Sequence, residues 1–207
     1  MTKIAVLVSG GGTNLQALID AWKKNELGGG ELSLVISSKL GVGALERAEK
    51  AGIRAITIER KKYAGIEKFD AAIAAALAEN GIGLVVLAGF LSILGKGTLQ
   101  SYENRIINVH PALIPSFCGR GFYGLRVHEE ALKYGVKVTG ATVHFVNDVI
   151  DGGKIILQKA VDVLPDDTPE TLQQRVMREA EWVLLPKAVA MLCERTNICA
   201  PLRGVDE

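Results

Sequence analysis

The chain has 207 residues, 48% of them hydrophobic and 23% charged, and its 24 basic and 23 acidic side chains leave a formal net charge of +1. That balance, with a sequence pI of about 7.7, gives no electrostatic footprint for nucleic acid or an anionic membrane. The longest mostly apolar run, residues 82–94, has 13 residues interrupted by Gly83, Gly89 and Ser92, short of the roughly 20 that a membrane-spanning helix needs. The opening run Ile4–Val8 is too short for a signal-peptide core. Cys118, Cys193 and Cys199 form no Cys-x-x-Cys pair, so neither a disulfide framework nor a zinc knuckle is expected. A cytoplasmic protein is the expectation.

Short β-branched runs at Lys3–Val8, Leu32–Ser37, Arg54–Ile58, Leu84–Ala88 and Arg105–Val109 alternate with helical patterns at Leu15–Trp22, Ala44–Ala51 and Ile66–Leu77. In the last of these, Ile66, Phe69, Ile73 and Leu77 recur at spacings of three and four, which places them on one helix face. Strand and helix alternating in this way predict βαβ units and a mostly parallel sheet covered on both faces. After Val109 the pattern changes. Residues 110–124 hold two prolines and three glycines and read as a long loop, a kind of segment that is often functional. A helix is predicted over Leu125–Tyr134. Two strands follow, Val136–Val146 and Lys154–Val163, turned through Asp151-Gly152-Gly153. A final helix starts near Asp167-Thr168-Pro169-Glu170, with Pro186 expected to kink or restart it. The fold class is therefore α/β, a mostly parallel twisted sheet flanked by helices with an antiparallel hairpin added in the C-terminal half, in one domain.

Ser9-Gly10-Gly11-Gly12-Thr13-Asn14-Leu15 joins the first strand to the first helix. Glycines let the main chain approach a ligand closely. Thr13 or Asn14 is placed to cap the helix, whose free N–H groups favour an anion. A dinucleotide fingerprint fails because Leu15 stands where it needs glycine, and no Gly-Lys-Ser/Thr loop exists. A site for a single phosphate remains, with a ligand-free turn as the alternative.

The fifth strand ends in Asn108-Val109-His110-Pro111. Residues two apart on a strand share a side, so Asn108 and His110 project together. An amide donates to a developing oxyanion, and an imidazole exchanges protons near neutral pH. Asp151 reads locally as the start of an Asp-Gly turn, with catalysis the alternative. His144 shares a strand face with Thr142 and Val146 and reads as structural. His128 lacks the second histidine of a zinc-protease helix, since position 132 is Leu132. Arg178, Glu179 and Glu181 read as a solvated helix face.

Taken together, Ser9–Gln16, Leu87–Leu94, Asn108–Pro115, Val143–Asn147 and Asp151-Gly152-Gly153 resemble the folate-dependent formyltransferases in spacing and order over essentially the whole chain. The Gly-rich loop narrows the resemblance to the phosphoribosylglycinamide formyltransferase branch. That resemblance implies a formyltransferase fold in which residues 1–103 form a Rossmann-like phosphate-binding half and residues 104–207 a catalytic and folate-binding half. It implies transfer of a formyl group from 10-formyltetrahydrofolate to the amine of glycinamide ribonucleotide, with no metal. It also implies site roles. Asn108, His110 and Asp151 would be catalytic, with His110 protonated to stabilise the oxyanion and Asp151 favouring that charge. Gly11, Gly12, Thr13, Asn14, Pro111, Arg178 and Glu181 would bind the ribonucleotide. Phe90, Leu91, Ser92, Ile93 and Leu94 would line the folate pocket with Asn108 and the loop Asn147, Asp148, Val149, Ile150 and Asp151.

The chain departs from many relatives at Trp182, where they have His, at Arg178, where some have Gln, and in a longer and more basic segment at residues 117–122. Other readings stay open on the sequence: hydrolysis of formyl-folate, formylation of a different amine, or phosphate-ligand binding without catalysis. A formyltransferase acting on transfer RNA is expected to carry a further C-terminal domain, and the hydrolase an extra N-terminal one.

Overall fold

The computed structural model describes residues 1–194; Cys199 lies outside the described residues. Seven strands form one sheet in the order β3-β2-β1-β4-β5-β6-β7. The first five, β1 (Thr2–Val8), β2 (Gly30–Ser37), β3 (Arg54–Thr57), β4 (Leu84–Leu87) and β5 (Ile106–His110), pair in parallel. Strands β6 (Val138–Phe145) and β7 (Ile155–Asp162) continue the sheet antiparallel. The predicted hairpin and the mixed sheet are both present.

The two-sided covering follows from β1. Ile4, Val6 and Val8 pack on one face with Leu15 and Leu18 of α1 (Thr13–Lys23) and Leu185 and Val189 of α7 (Trp182–Glu194). Ala5 and Leu7 point the other way, against Phe69, Ile73 and Leu77 of α3 (Ile66–Glu79). All five β1 side chains are fully buried, so the strand has no polar face, as a central parallel strand requires. The same three α3 residues carried the helical spacing in the sequence. Helices α2 (Gly43–Lys50) and α5 (Leu125–Tyr134) match their predicted spans within a residue.

Two elements differ from expectation. A short helix α4 (Lys96–Ser101) was not predicted, because its sequence has no apolar periodicity. It is held from outside: the buried Asp70 carboxylate on α3 accepts hydrogen bonds from the Gly95 N–H at 2.7 Å and the Thr98 N–H at 2.9 Å. The C-terminal helix starts as predicted, with Thr168 as N-cap and Pro169 in the first turn of α6 (Pro169–Val176). It is not broken at Pro186, which lies inside α7. Instead the departure from α geometry comes one turn earlier, where Met177–Glu181 forms a π turn. Among the described residues no helix is long and apolar enough to cross a membrane.

Because Asp70 satisfies two main-chain donors at the base of the turn between β4 and α4, Asp70→Ala is expected to destabilise the protein by about 1–3 kcal/mol. A denaturant titration measures this, and an unchanged midpoint would show that water replaces the carboxylate without cost.

Candidate active site

In an open α/β sheet, neighbouring strands whose connections run in opposite directions leave a crevice beyond their carboxyl ends. Here β1 connects outward to β2 while its other neighbour is β4. A cavity of about 610 Å³ opens there, walled by the loops after β1, β4 and β5 and by the β6–β7 connection.

One end of this cleft is the glycine loop, with Gly10, Gly11, Gly12, Thr13 and Asn14 in its wall. The α1 N-cap is Gly12, not Thr13 or Asn14, and it adopts a left-handed conformation with φ of 76°. A Cβ on Gly12 would lie 2.7 Å from the Cβ of Ala44, so glycine is required for α2 to pack against the loop. The loop carbonyls are already occupied. That of Gly10 accepts from the Ala44 N–H at 3.2 Å, and that of Gly11 accepts from Nε of Arg47 at 2.9 Å. The first intrahelical bond runs from the Gln16 N–H to the Gly12 carbonyl, which leaves the preceding N–H groups of α1 without helical partners. The loop acceptors are engaged by α2, while Thr13 and Asn14, whose N–H groups lack helical partners, line the cleft, an arrangement that favours an anion.

Asn14 does not cap α1. Its Nδ2 donates to Oε2 of Glu181 at 2.5 Å, and its Oδ1 is buried without a partner. Glu181, expected on local grounds to be a solvated residue, is 5% exposed and reaches the cavity wall. The π turn aims it inward. Burial pushes its carboxyl above the ordinary range, against the Asn14 hydrogen bond, which pulls the other way.

The opposite wall carries four polar side chains from two neighbouring strands and one loop. Asn108 on β5 stands opposite His144 on β6, and His110 opposite Thr142. Nδ1–H of His144 donates to the Phe145 carbonyl at 2.8 Å. In the neutral ring that leaves Nε2 as an acceptor, and it takes a hydrogen bond from Nδ2 of Asn108 at 3.2 Å. His110 donates through Nε2–H to the Phe117 carbonyl at 2.9 Å. A carbonyl only accepts, so Nε2 carries a proton and Nδ1 is the nitrogen that faces Asp151. Asp151 lies between the rings, with Oδ2 3.7 Å from His110 Nδ1 and Oδ1 3.6 Å from His144 Nε2. Its Oδ2 also accepts from the Gly119 N–H at 2.9 Å.

Burial opposes charge on both partners. In His110 it outweighs the Asp151 carboxylate and the Phe117 carbonyl and holds the ring below the ordinary histidine range. In Asp151 it is itself outweighed by the His144 and His110 rings and the Gly119 N–H, and the carboxyl falls below its usual range. The two shifts run opposite ways across the pair: burial disfavours the charged His110 ring, and its neighbours favour the charged Asp151 carboxylate.

Asp151 is both a turn residue and a member of this cluster. Its φ is 55°, a left-handed conformation that aspartate adopts more readily than most residues. The loop closes tightly behind it, since a Cβ on Gly153 would clash with the Phe145 carbonyl oxygen. Apolar side chains form the cleft's mouth: Leu91 and Ile93 on one lip, Val149 and Ile150 on the other, each at least 44% exposed. Phe90, Ser92, Leu94, Pro111 and Asn147 also line the cavity. Two candidates do not: Arg178 and Asp148 are exposed and outside the wall. Sequence reasoning missed His144, whose partner across the sheet is set by antiparallel register, and Arg47, which reaches the glycine loop from another helix.

A family model described as formyl transferase matches residues 2–189. The chain is 45% identical over 190 residues to the trifunctional purine biosynthetic protein adenosine-3 of Gallus gallus, covering 92% of this chain and 18% of that protein. It spans 14% of the corresponding Drosophila melanogaster protein, at 41% identity over 200 residues. Against the phosphoribosylglycinamide formyltransferase of Haemophilus influenzae it is 37% identical over 194 residues, covering 94% of this chain and 88% of that one. The crystal structure of glycinamide ribonucleotide transformylase 1 from Symbiobacterium toebii superposes with a TM-score of 0.88 at 42% identity, over 94% of this chain and 88% of that chain.

Beneath the cluster, His128 of α5 is buried with neither ring nitrogen partnered. Burial, aided by the nearby His110, lowers its pKa from 6.5 to about 4. The unfolded chain therefore binds a proton there before the folded one does, so this residue's contribution is complete above pH 6.5 and is lost as pH falls toward 4. The loss is on the order of 3 kcal/mol. Replacing both unpartnered nitrogens by carbon removes the effect. His128→Leu is expected to match the wild type at pH 7.5 and to lose less stability at pH 4.5; parallel pH–stability curves would refute the assignment.

Proposed function

The chain belongs to the formyl transferase family, and from that premise we propose that it transfers the formyl group of 10-formyltetrahydrofolate to the primary amine of glycinamide ribonucleotide. The observation that carries this reading is the union, in one cleft, of an anion-ready glycine loop with the Asn108–His110–Asp151 cluster. Phosphate binding alone would not require that cluster, and hydrolysis of a formyl-folate would not require the glycine loop.

In this reading the free N–H groups at the start of α1 hold the ribonucleotide's phosphate. The unpartnered Oδ1 of Asn14 and the Glu181 carboxyl meet its polar groups. The apolar lips Leu91, Ile93, Val149 and Ile150 sandwich the flat ring of the folate, and the formyl carbon is delivered to the wall formed by β5. Cys118 and Cys193 are free thiols, which accords with a reducing, cytoplasmic setting. The two halves of the chain, divided near residue 103, act as a single domain with the cleft between them.

The chemistry follows from the tautomers. As the amine attacks the formyl carbon, its nitrogen loses a proton and the carbonyl oxygen gains negative charge. Asn108 has one amide N–H committed to His144 and the second available to that oxyanion. His110 accepts the amine's proton at Nδ1. The resulting imidazolium lies beside Asp151, which offsets the cost of a buried charge. It then returns a proton to the folate nitrogen as the carbon–nitrogen bond to the folate breaks. His110 ends as it began.

The decisive assay follows 10-formyltetrahydrofolate spectroscopically with and without glycinamide ribonucleotide. Turnover that needs the ribonucleotide and yields its formylated product is expected; equal turnover without it would replace this reading with a hydrolase. Within that assay, Asp151→Asn keeps the shape but removes the charge that supports the imidazolium, and is expected to lower kcat by about 10²-fold or more with the ribonucleotide KM little changed. Arg47→Ala frees the Gly11 carbonyl to turn toward the phosphate, and should instead raise that KM by about tenfold with kcat nearly preserved. The reverse pattern in either variant would exchange the two assignments.

A further inference from the structure

The lip that carries Leu91 and Ile93 is a stretch without regular structure between β4, which ends at Leu87, and α4, which starts at Lys96. It is tied down at both ends. The Ala88 N–H donates to the Leu7 carbonyl of β1 at 2.9 Å, and the Gly95 N–H donates to Asp70. Between those ties, among the described residues, residues 89–94 make one hydrogen bond: the Leu91 N–H donates to Oγ of Ser9 at 2.9 Å. Leu94 and, in part, Phe90 enter the core, whereas Leu91 and Ile93 are 57% and 55% exposed. The main-chain bond beneath Leu91, more than the packing of its side chain, therefore fixes its height over the cleft.

Ser9 stands between the end of β1 and Gly10, so this bond reaches from the root of the glycine loop to the opposite lip. Ser9 is 3% exposed and lies behind the cleft wall, not in it. A second hydroxyl steadies it. Oγ of Ser38, just past β2, lies 2.6 Å from Oγ of Ser9, and the Ser38 N–H donates to the Val8 carbonyl at 3.0 Å. A serine hydroxyl has two acceptor positions and one proton, so Ser9 serves Leu91 and Ser38 together.

We propose that Ser9 is a positioning residue: its hydroxyl holds the Leu91 lip at a fixed distance from the glycine loop, so that a flat cosubstrate under the lip and an anion on the loop share one frame. Without that Oγ the Leu91 N–H turns to water, and the lip opens locally while the sheet stays folded. Binding under the lip then weakens. The glycine loop keeps its own bonds to Ala44 and Arg47, so the anion site is left as it was. The kinetic consequence rests on the proposed formyl transfer; the tie itself depends on no substrate.

Amide hydrogen exchange of the full-length protein, followed residue by residue by NMR, reads the tie directly. The Leu91 amide is expected to exchange about tenfold faster in Ser9→Ala than in the wild type, with the buried β1 amides alike in both. Steady-state assays of Ser9→Ala should show the KM for 10-formyltetrahydrofolate raised about five- to tenfold, with kcat and the ribonucleotide KM within about twofold. Ser38→Ala leaves the Ser9 acceptor in place and should keep the slow Leu91 exchange. Faster exchange throughout β1 with both KM values moving together would reduce Ser9 to a packing residue and overturn the proposal. Leu91 exchange unchanged in Ser9→Ala would overturn it as well. Should Ser9→Ala fail to fold because it strands the Ser38 hydroxyl, the double variant Ser9→Ala/Ser38→Ala removes both groups and carries the same expectations. Leu91 exchange that responds as stated in a protein without formyl transfer would sustain the tie and remove the proposed function. Full transfer with an unresponsive Leu91 and unchanged KM values would do the reverse.

Discussion

Taking ionisable groups out of water governs how this cleft is built. Two imidazoles and a carboxylate share one largely buried wall, and a buried polar atom without a partner is costly. The chain meets most of that demand with main-chain groups: the carbonyls of Phe117 and Phe145 for the two rings, and the Gly119 N–H for Asp151. Main-chain partners have a chemical effect that water would not. Each carbonyl accepts only, so it dictates which nitrogen of its histidine carries the proton. Solvation and reactivity are settled by the same bonds.

The rest of the fold serves to bring those groups within reach. The switch from parallel to antiparallel pairing at β5–β6 sets Asn108 opposite His144. The tight β6–β7 connection then brings Asp151 back under both rings. At the other end, α2 contributes nothing that faces the cleft directly, yet its Ala44 N–H and Arg47 side chain draw off the glycine-loop carbonyls. Both ends of the site are therefore made by subtraction. At the glycine loop acceptors are engaged from behind and donors remain, while at the other end the Nε2–H of His110 is engaged by a carbonyl and Nδ1 is left facing Asp151.

Much of this was legible in the residue order, for reasons that differ by element. The helix α3 announced itself because its apolar face is local and periodic, and the parallel strands because burial on both faces leaves no polar alternation. Asn108 and His110 could be paired because alternation along a strand is also local. Asp151 was ambiguous in sequence because a hairpin turn and a catalytic carboxylate make the same demand there, an aspartate that accepts a left-handed main chain. Glu181 looked like a surface residue because its burial depends on Asn14, 167 positions away. His144 looked structural because its partner is chosen by strand register. Helix α4 left no signal at all, its cap being a carboxylate from another helix. Three of these four depend on contacts that only tertiary structure creates.

The π turn at Met177–Glu181 carries a further meaning. In an α-helix each residue advances the side-chain direction by about 100°, so a five-residue hydrogen-bonded turn acts as one surplus residue in the winding. It sets the phase between α6 and α7. Upstream of it, Leu172 and Val176 keep their place in the core, and downstream Leu185 and Val189 keep theirs, while Gln173, Met177 and Glu181 share the cleft wall. A regular helix of the same length would align one core stripe and throw the other out of register. The helix can therefore seal two parts of the core and present a buried carboxyl only because its rotation is reset once, in the stretch that borders the ligand.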